Sequence, residues 1–263
     1  MTKLNWDAMG SRYYETGVDR GVLYIDSVGV PWNGLTSIEE APSGGDARPY
    51  YVDGVKYLNL SAPEEFAATV NAFYSPEEFD PCEGYGSLAA GLTVAGQRRK
   101  SFALCYRTKL GNDLAGSDYG YKIHLIYNAM VAPTTRAYAS INDSVEVPTL
   151  AWPITTTPVQ VPGMMRSAYF VIDSTKISST ALIELENILY GTSITAPRLP
   201  TPEEIIAALT TADEFTVTDL GGGSFRISGS VSNIVTAAPH TFQIIHDTAV
   251  EIIDADSAMI SSA

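Results

Sequence analysis

Two segments near the middle of the chain, Ser101 to Thr108 and Tyr121 to Asn128, alternate with a period of two. Phe102, Leu104 and Tyr106 fall on one face with Ala103, Cys105 and Arg107 behind them. Tyr121, Ile123, Leu125 and Tyr127 share a face opposite Lys122, His124 and Ile126. That period belongs to half-buried antiparallel strands, each with an apolar and a mixed side. Between them, Gly111, Asn112, Asp113, Gly116, Ser117 and Gly120 predict a polar loop too long for a tight hairpin.

Around this pair the chain reads as mainly β. Val22 to Ile25 is a short apolar strand, whereas Tyr13 to Gly21 is polar and predicts an arm or loop. Asn33-Gly34 and Asp53-Gly54 are hairpin turn signals, the second between Tyr50-Tyr51-Val52 and Val55 to Leu58. Ser61 to Tyr74 fits either a helix, with a Ser61/Glu64 capping box, or a strand; its strand neighbours favour the strand. Leu88 to Val94, Thr149 to Val161 and Ala168 to Ile172 are further strand candidates, and Pro133 to Ser144 a polar, exposed stretch. Ser179 to Gly191 predicts a helix capped by Ser179, with Leu182, Leu185 and Leu189 on one face.

Pro197, Pro200 and Pro202 punctuate a linker, and Thr201-Pro202-Glu203-Glu204 opens a second helix with a cap, Pro at N1 and Glu at N3. Strands at Phe215 to Thr218, Phe225 to Ile227, Thr241 to Ile245 and Ala249 to Ile253 follow it. The expected fold is an antiparallel β-sandwich or rolled barrel with a flanking helix over residues 1–198, and a small acidic α+β appendage over 199–263. Charge supports that division. The chain of 263 residues carries a net charge of −14, and residues 200–263 hold one base, Arg226, against nine acids.

That acidic balance argues against a phosphate-binding surface as the main business of the chain. Met1 to Gly10 lacks the apolar core of a signal peptide, and no apolar run is long enough to span a membrane. Cys82 and Cys105 are the only cysteines, so no disulfide scaffold is indicated. The signals for chemistry are weak. Cys105 and His124 would have to share a strand face to act as a dyad. His240, His246 and Asp247 lack the spacing of a known metal site, and Gly221-Gly222-Gly223-Ser224 reads as a hairpin turn because no Lys follows it. No enzyme, cofactor or metal is expected.

The ordered set Gly29-Val30-Pro31-Trp32-Asn33-Gly34-Leu35, Tyr51 to Tyr57 around Asp53-Gly54, Phe102 to Asn112 with Tyr106-Arg107-Thr108, and Gly120 to Asn128 resembles the major tail protein of long-tailed, non-contractile bacteriophages, of the type found in phages of actinobacteria. The resemblance covers most of residues 1–199. It implies a tail-tube subunit of the virion, made in the host cytoplasm: six copies form a ring, and stacked rings conduct double-stranded DNA without binding it specifically. The implied partners are sibling subunits, a tape-measure protein and terminator or baseplate proteins. No membrane partner is implied.

Candidate contacts between subunits or rings are the loop residues Gly44, Gly45, Asp46 and Arg48, the basic cluster Arg98, Arg99 and Lys100, and Asn112, Asp113 and Asp118. Trp32 is a further candidate, either as an interface aromatic or as a buried anchor. A rival reading, a carbohydrate-binding β-sandwich of a virion or cell-surface assembly, draws on the 15 tyrosines.

Overall fold

The pairing expected at the centre of the chain forms and runs further than its alternation suggests. The computed structural model describes residues 4–138, 140 and 147–211, and beyond them the backbone of five strands between residues 215 and 254. In chain order the first strands are β1 (Tyr13–Ile25), β2 (Val28–Pro31), β3 (Leu35–Glu40), β4 (Ser43–Gly44), β5 (Ala47–Val52), β6 (Val55–Ser61), β7 (Glu64–Glu65) and β8 (Ala67–Ala72). A short helix α1 (Asp80–Glu83) precedes β9 (Gly86–Ala89), β10 (Leu92–Val94), β11 (Phe102–Asn112), β12 (Gly116–Val131), β13 (Leu150–Thr156) and β14 (Tyr169–Asp173). Helices α2 (Ser179–Tyr190) and α3 (Pro202–Thr211) come next. A β15–β16 hairpin (Phe215–Gly221, Ser224–Gly229) and a meander of β17 (Asn233–Ala238), β18 (Thr241–His246) and β19 (Ala249–Asp254) close the described chain.

The architecture is the mainly β, antiparallel one expected. A single eight-stranded sheet runs β2-β1-β11-β12-β13-β8-β3, with β14 beside β12. The sheet rolls until β3 approaches β1, where Leu35 packs so close to Gly21 that a Cβ there would sit 3.0 Å from its side chain. Among the described residues no ladder joins β1 to β3, so the roll is not a closed barrel. At Asn128, whose φ of 46° is left-handed, β12 changes partner: Lys122–Ile126 pair with β14 and Ala129–Val131 with β13.

Both faces of the central strands are buried, which corrects the half-buried expectation. Phe102, Leu104, Tyr106, Ile126 and Ala129 point into the roll beside Trp32, Val70, Phe79 and Trp152. Cys105, Ile123, Leu125 and Tyr127 point the other way, against Leu185 and Leu189 of α2 and Ile205 of α3. The helices turn the Ala103 and Cys105 side of β11, together with the apolar Ile123, Leu125 and Tyr127 side of β12, into a second core. Tyr24 Oη donates to the Leu189 carbonyl at 2.7 Å and Tyr127 Oη to the Pro200 carbonyl at 2.8 Å, so two tyrosines tie the helix segment to the sheet while their rings stay buried.

Other local expectations need correction. Tyr13 to Gly21 is strand, because its charges pair across β11 and β12: Arg107 holds Asp19 at 2.8 and 3.1 Å, and Lys122 holds Glu15 at 2.5 Å. The loop after Asn112 is short, since Asn112 already pairs with Gly116. Two of its supposed turn glycines serve close packing instead. A Cβ on Gly111 would sit 2.3 Å from the Tyr14 ring, and one on Gly120 2.5 Å from Thr175. Leu88 to Val94 is two short strands, not one.

The Ser61–Tyr74 segment resolves as strand over Ala67–Ala72, with Ala68, Val70 and Ala72 buried. α2 is capped one residue earlier than expected, Ser178 Oγ accepting from the Ala181 N–H at 3.2 Å. The box at α3 forms as read: Thr201 N–H donates to Glu204 at 2.8 Å, and Glu204 N–H to Thr201 Oγ1 at 3.3 Å. The proline segment before it is anchored, because the Gly29 N–H donates to the Pro197 carbonyl at 3.0 Å. Of the Pro133 to Ser144 stretch, residues 133–135, 137, 138 and 140 are exposed as expected, Arg136 is half-buried, and the rest lies outside the described residues.

Leu104 and Leu125 sit in the two cores and are fully buried. Leu104→Ala and Leu125→Ala are each expected to cost about 2–5 kcal/mol in urea unfolding. Ile183→Ala, on the exposed side of α2, is expected to stay within about 0.5 kcal/mol.

Candidate assembly surfaces

The β3–β8 hairpin does not end at the sheet. Its two strands separate from the roll at Ala41 and Ala67 and continue as a ribbon, through the β4–β7 pair and then β5–β6. One register holds from Glu40 opposite Ala68 to Tyr50 opposite Leu58. A bulge follows, and then the turn at Asp53-Gly54, with φ of 51° and 76° as a type I′ turn requires. At about 3.3 Å per residue the ribbon is up to roughly 40 Å long.

Among the described residues the outer part of this arm has no packing partner. The register sets Tyr50, Val52, Val55, Leu58 and Leu60 on one face, with Arg48 at its inner end. Every residue of β5 and β6 is exposed, including Tyr51 at 64 %, Val55 at 69 % and Tyr57 at 72 %. A two-stranded ribbon is marginally stable in water at best, and exposed apolar stripes of this kind mark interaction surfaces.

The edge of β14 is also open. Bonds from Tyr127 N–H to the Ala168 carbonyl and from Ser174 N–H to the Tyr121 carbonyl fix its phase against β12. The N–H and C=O of Val171 therefore point outward, and its side chain is exposed. The β2 edge, in contrast, is covered where Gly29 binds Pro197.

The sequence-derived contacts divide three ways. Gly44, Gly45, Asp46 and Arg48 lie on the exposed arm; both glycines have positive φ, and a Cβ on Gly44 would sit 2.7 Å from the Pro63 carbonyl oxygen. Trp32 requires a correction. It is 3 % exposed, its indole N–H donates to the Tyr74 carbonyl at 2.9 Å, and it packs on Phe79 and Trp152, so its ring cannot reach a neighbour.

The basic cluster is largely occupied. Arg99 donates to the Val131 carbonyl at 2.7 Å and Lys100 to Asp26 at 2.5 Å, which leaves the exposed Arg98. Asn112 is buried and caps its loop by accepting from the N–H groups of Leu114 and Ala115. Asp113 binds the N–H groups of Gly10 and Arg12 and so pins the N-terminal segment, while Asp118 is exposed. The arm's apolar face and the β14 edge are not among the sequence-derived candidates; the Asp53-Gly54 turn signal marks the hairpin but not its want of a partner.

No Cys105–His124 dyad forms. Cys105 and His124 are on opposite faces of the sheet. Burial pushes both thiols, Cys82 and Cys105, up to about 12, away from nucleophilic reactivity. Among the described residues no group of His, Cys, Asp and Glu could hold a metal ion, and no helix is long and apolar enough to cross a membrane. His240 lies outside the described residues, as does the side chain of His246.

No protein-family model and no curated protein matches the chain. Among solved structures it is similar to a chain of the sheath–tube complex of an extracellular contractile injection system (PVC) in its extended state, with 15 % identity over 59 % of this chain and 88 % of the other. The TM-score of 0.30 is too low for that likeness to assign a fold or a function.

The backbone N–H of Gly10, then those of Asp113 itself and Arg12, hold the Asp113 carboxyl below its usual range. A depressed carboxyl keeps its contacts at neutral pH and loses them as pH falls through the depressed value, below the ordinary aspartate value of about 3.9. Amide shifts of Gly10 and Arg12 are expected to move in that acid window, and Asp113→Ala to abolish the transition.

Proposed function

We propose that the chain is a structural subunit of a phage tail tube and performs no chemical step. Copies join heterologously into a ring, six by the resemblance to tail proteins, and rings stack into a tube that conducts double-stranded DNA. The observation that carries this reading is the unpartnered ribbon arm, with its apolar face of Tyr50, Val52, Val55, Leu58 and Leu60. An arm of this kind is a hazard for a monomer and a connector for a repeating assembly.

The faces of the central sheet are filled by the chain's own roll and helices, so contacts between copies fall to the β14 edge, the arm and the loops. The charge balance suits a conduit. Each Lys or Arg contact with phosphate would add salt-dependent affinity and friction, and two of the three clustered bases are engaged within the chain. Tape-measure and terminator or baseplate proteins are the further partners this reading requires, with the virion tail as its location.

Negative-stain microscopy of the concentrated full chain tests the proposal. Hollow tubes or discs with sixfold end views are expected, and a persistent monomer, above all one that binds glycan, would overturn it. The double variant Val55→Asp/Leu58→Asp touches no core residue. Its thermal unfolding is expected to match the parent, while the concentration needed for assembly rises at least tenfold, about 1.4 kcal/mol.

A further inference from the structure

Inside the roll lies a polar cluster that the proposed function does not use. His124, 4 % exposed, stacks flat on Tyr106 with 4.5 Å between ring centroids. Its Nδ1 is 2.6 Å from Tyr169 Oη, and its Nε2 2.8 Å from Thr108 Oγ1. Two carboxylates stand behind those hydroxyls. Tyr169 donates to Glu40 at 2.5 Å, as does Tyr106 at 2.8 Å, and Thr108 is 2.5 Å from Glu15, which Lys122 also holds at 2.5 Å. The charged and titratable groups facing the ring are thus Glu15 from β1, Glu40 from β3, Tyr106 from β11, Lys122 from its own strand and Tyr169 from β14.

Proton counting constrains this cluster. Each hydroxyl has one proton to give. If Tyr169 and Thr108 both give theirs to carboxylates, both ring nitrogens must be donors, and the ring is an imidazolium. With a neutral ring one hydroxyl must turn back to a ring nitrogen. Thr108 is the one that turns at lower cost. Glu15 keeps Lys122 when Thr108 leaves, whereas Glu40 would be left with Tyr106 alone.

We propose that His124 is a proton-linked switch in which proton uptake re-routes the Thr108 hydroxyl from His124 Nε2 to Glu15. In the neutral state Nδ1–H donates to Tyr169, and Thr108 donates to Nε2. In the protonated state Nε2–H donates to Thr108 and Thr108 to Glu15. That closes one chain of hydrogen bonds, Lys122–Glu15–Thr108–His124–Tyr169–Glu40–Tyr106. The added link couples β1 to β14, the strand with the open edge.

Burial pushes the His124 ring below the ordinary imidazole value of about 6.5, against the pull of Glu40 and Glu15. Burial also pushes Glu15 up, but hydrogen bonds from Lys122 and Thr108 outweigh it and hold the carboxyl low. Lys122 stays on Glu15 in both states, so the carboxylate is in place to accept when Thr108 turns to it.

The test is nitrogen-15 NMR of the full chain carrying His240→Asn and His246→Asn, so that one imidazole reports. The expected neutral form carries its proton on Nδ1 and converts to imidazolium with a midpoint below that of a free imidazole. Glu15→Gln is expected to lower the midpoint, and Tyr169→Phe, which removes the Nδ1 acceptor, to move the neutral proton to Nε2. A neutral ring protonated on Nε2 in the parent chain, or a ring that never titrates above the pH of acid unfolding, would overturn the switch. That first measurement needs neither Glu15→Gln nor Tyr169→Phe to fold.

Discussion

Burial of the β11–β12 pair on both faces is the constraint from which the rest follows. An antiparallel pair with one solvated face could have offered that face to a ligand or a neighbour. Here the roll of the sheet covers Leu104 and Ile126, while α2 and α3 cover Cys105 and Leu125. Fully burying one leucine is worth about 1.5–3 kcal/mol, so neither face of this pair can be given up for an external contact. What the fold leaves available is backbone at the β14 edge and whatever projects beyond the roll.

What projects is the ribbon arm, and its chemistry differs from ordinary surface. Tyrosines and branched apolar residues crowd both faces of its tip, and its turn holds the two strands in register. Local structure and packing disagree along this segment: the backbone is organised as a sheet, yet among the described residues nothing covers it. In the proposed repeating assembly the cover comes from another copy of the chain, with no new element needed. The acidic balance works in the same direction, keeping the surface a poor ligand for DNA phosphate.

Much of this was legible in the residues. The period-two segments, the Asp53-Gly54 turn and the Thr201–Glu204 box all state local preferences that the fold adopts. Long-range pairing was not legible. Glu15, Asp19 and Arg20 make Tyr13 to Gly21 look like a solvated arm, and only the cross-strand partners Lys122 and Arg107 explain it as strand. Gly111 and Gly120 read as turn residues because a sequence cannot reveal that Tyr14 and Thr175 approach their backbones. Trp32 beside a turn signal was compatible with interface or core, and the aromatic cluster with Phe79 and Trp152 decides for core. Arg99 and Lys100 likewise lost their place as free cations to the Val131 carbonyl and Asp26.

Hydrogen exchange measured across a dilution series tests the central claim most directly. Amides of residues 47–61 and of Val171 are expected to exchange rapidly in dilute chain and to become protected as concentration rises, while core amides such as Leu104 and Leu125 stay protected throughout. Arm amides equally protected at every concentration, or equally unprotected in concentrated chain, would contradict it.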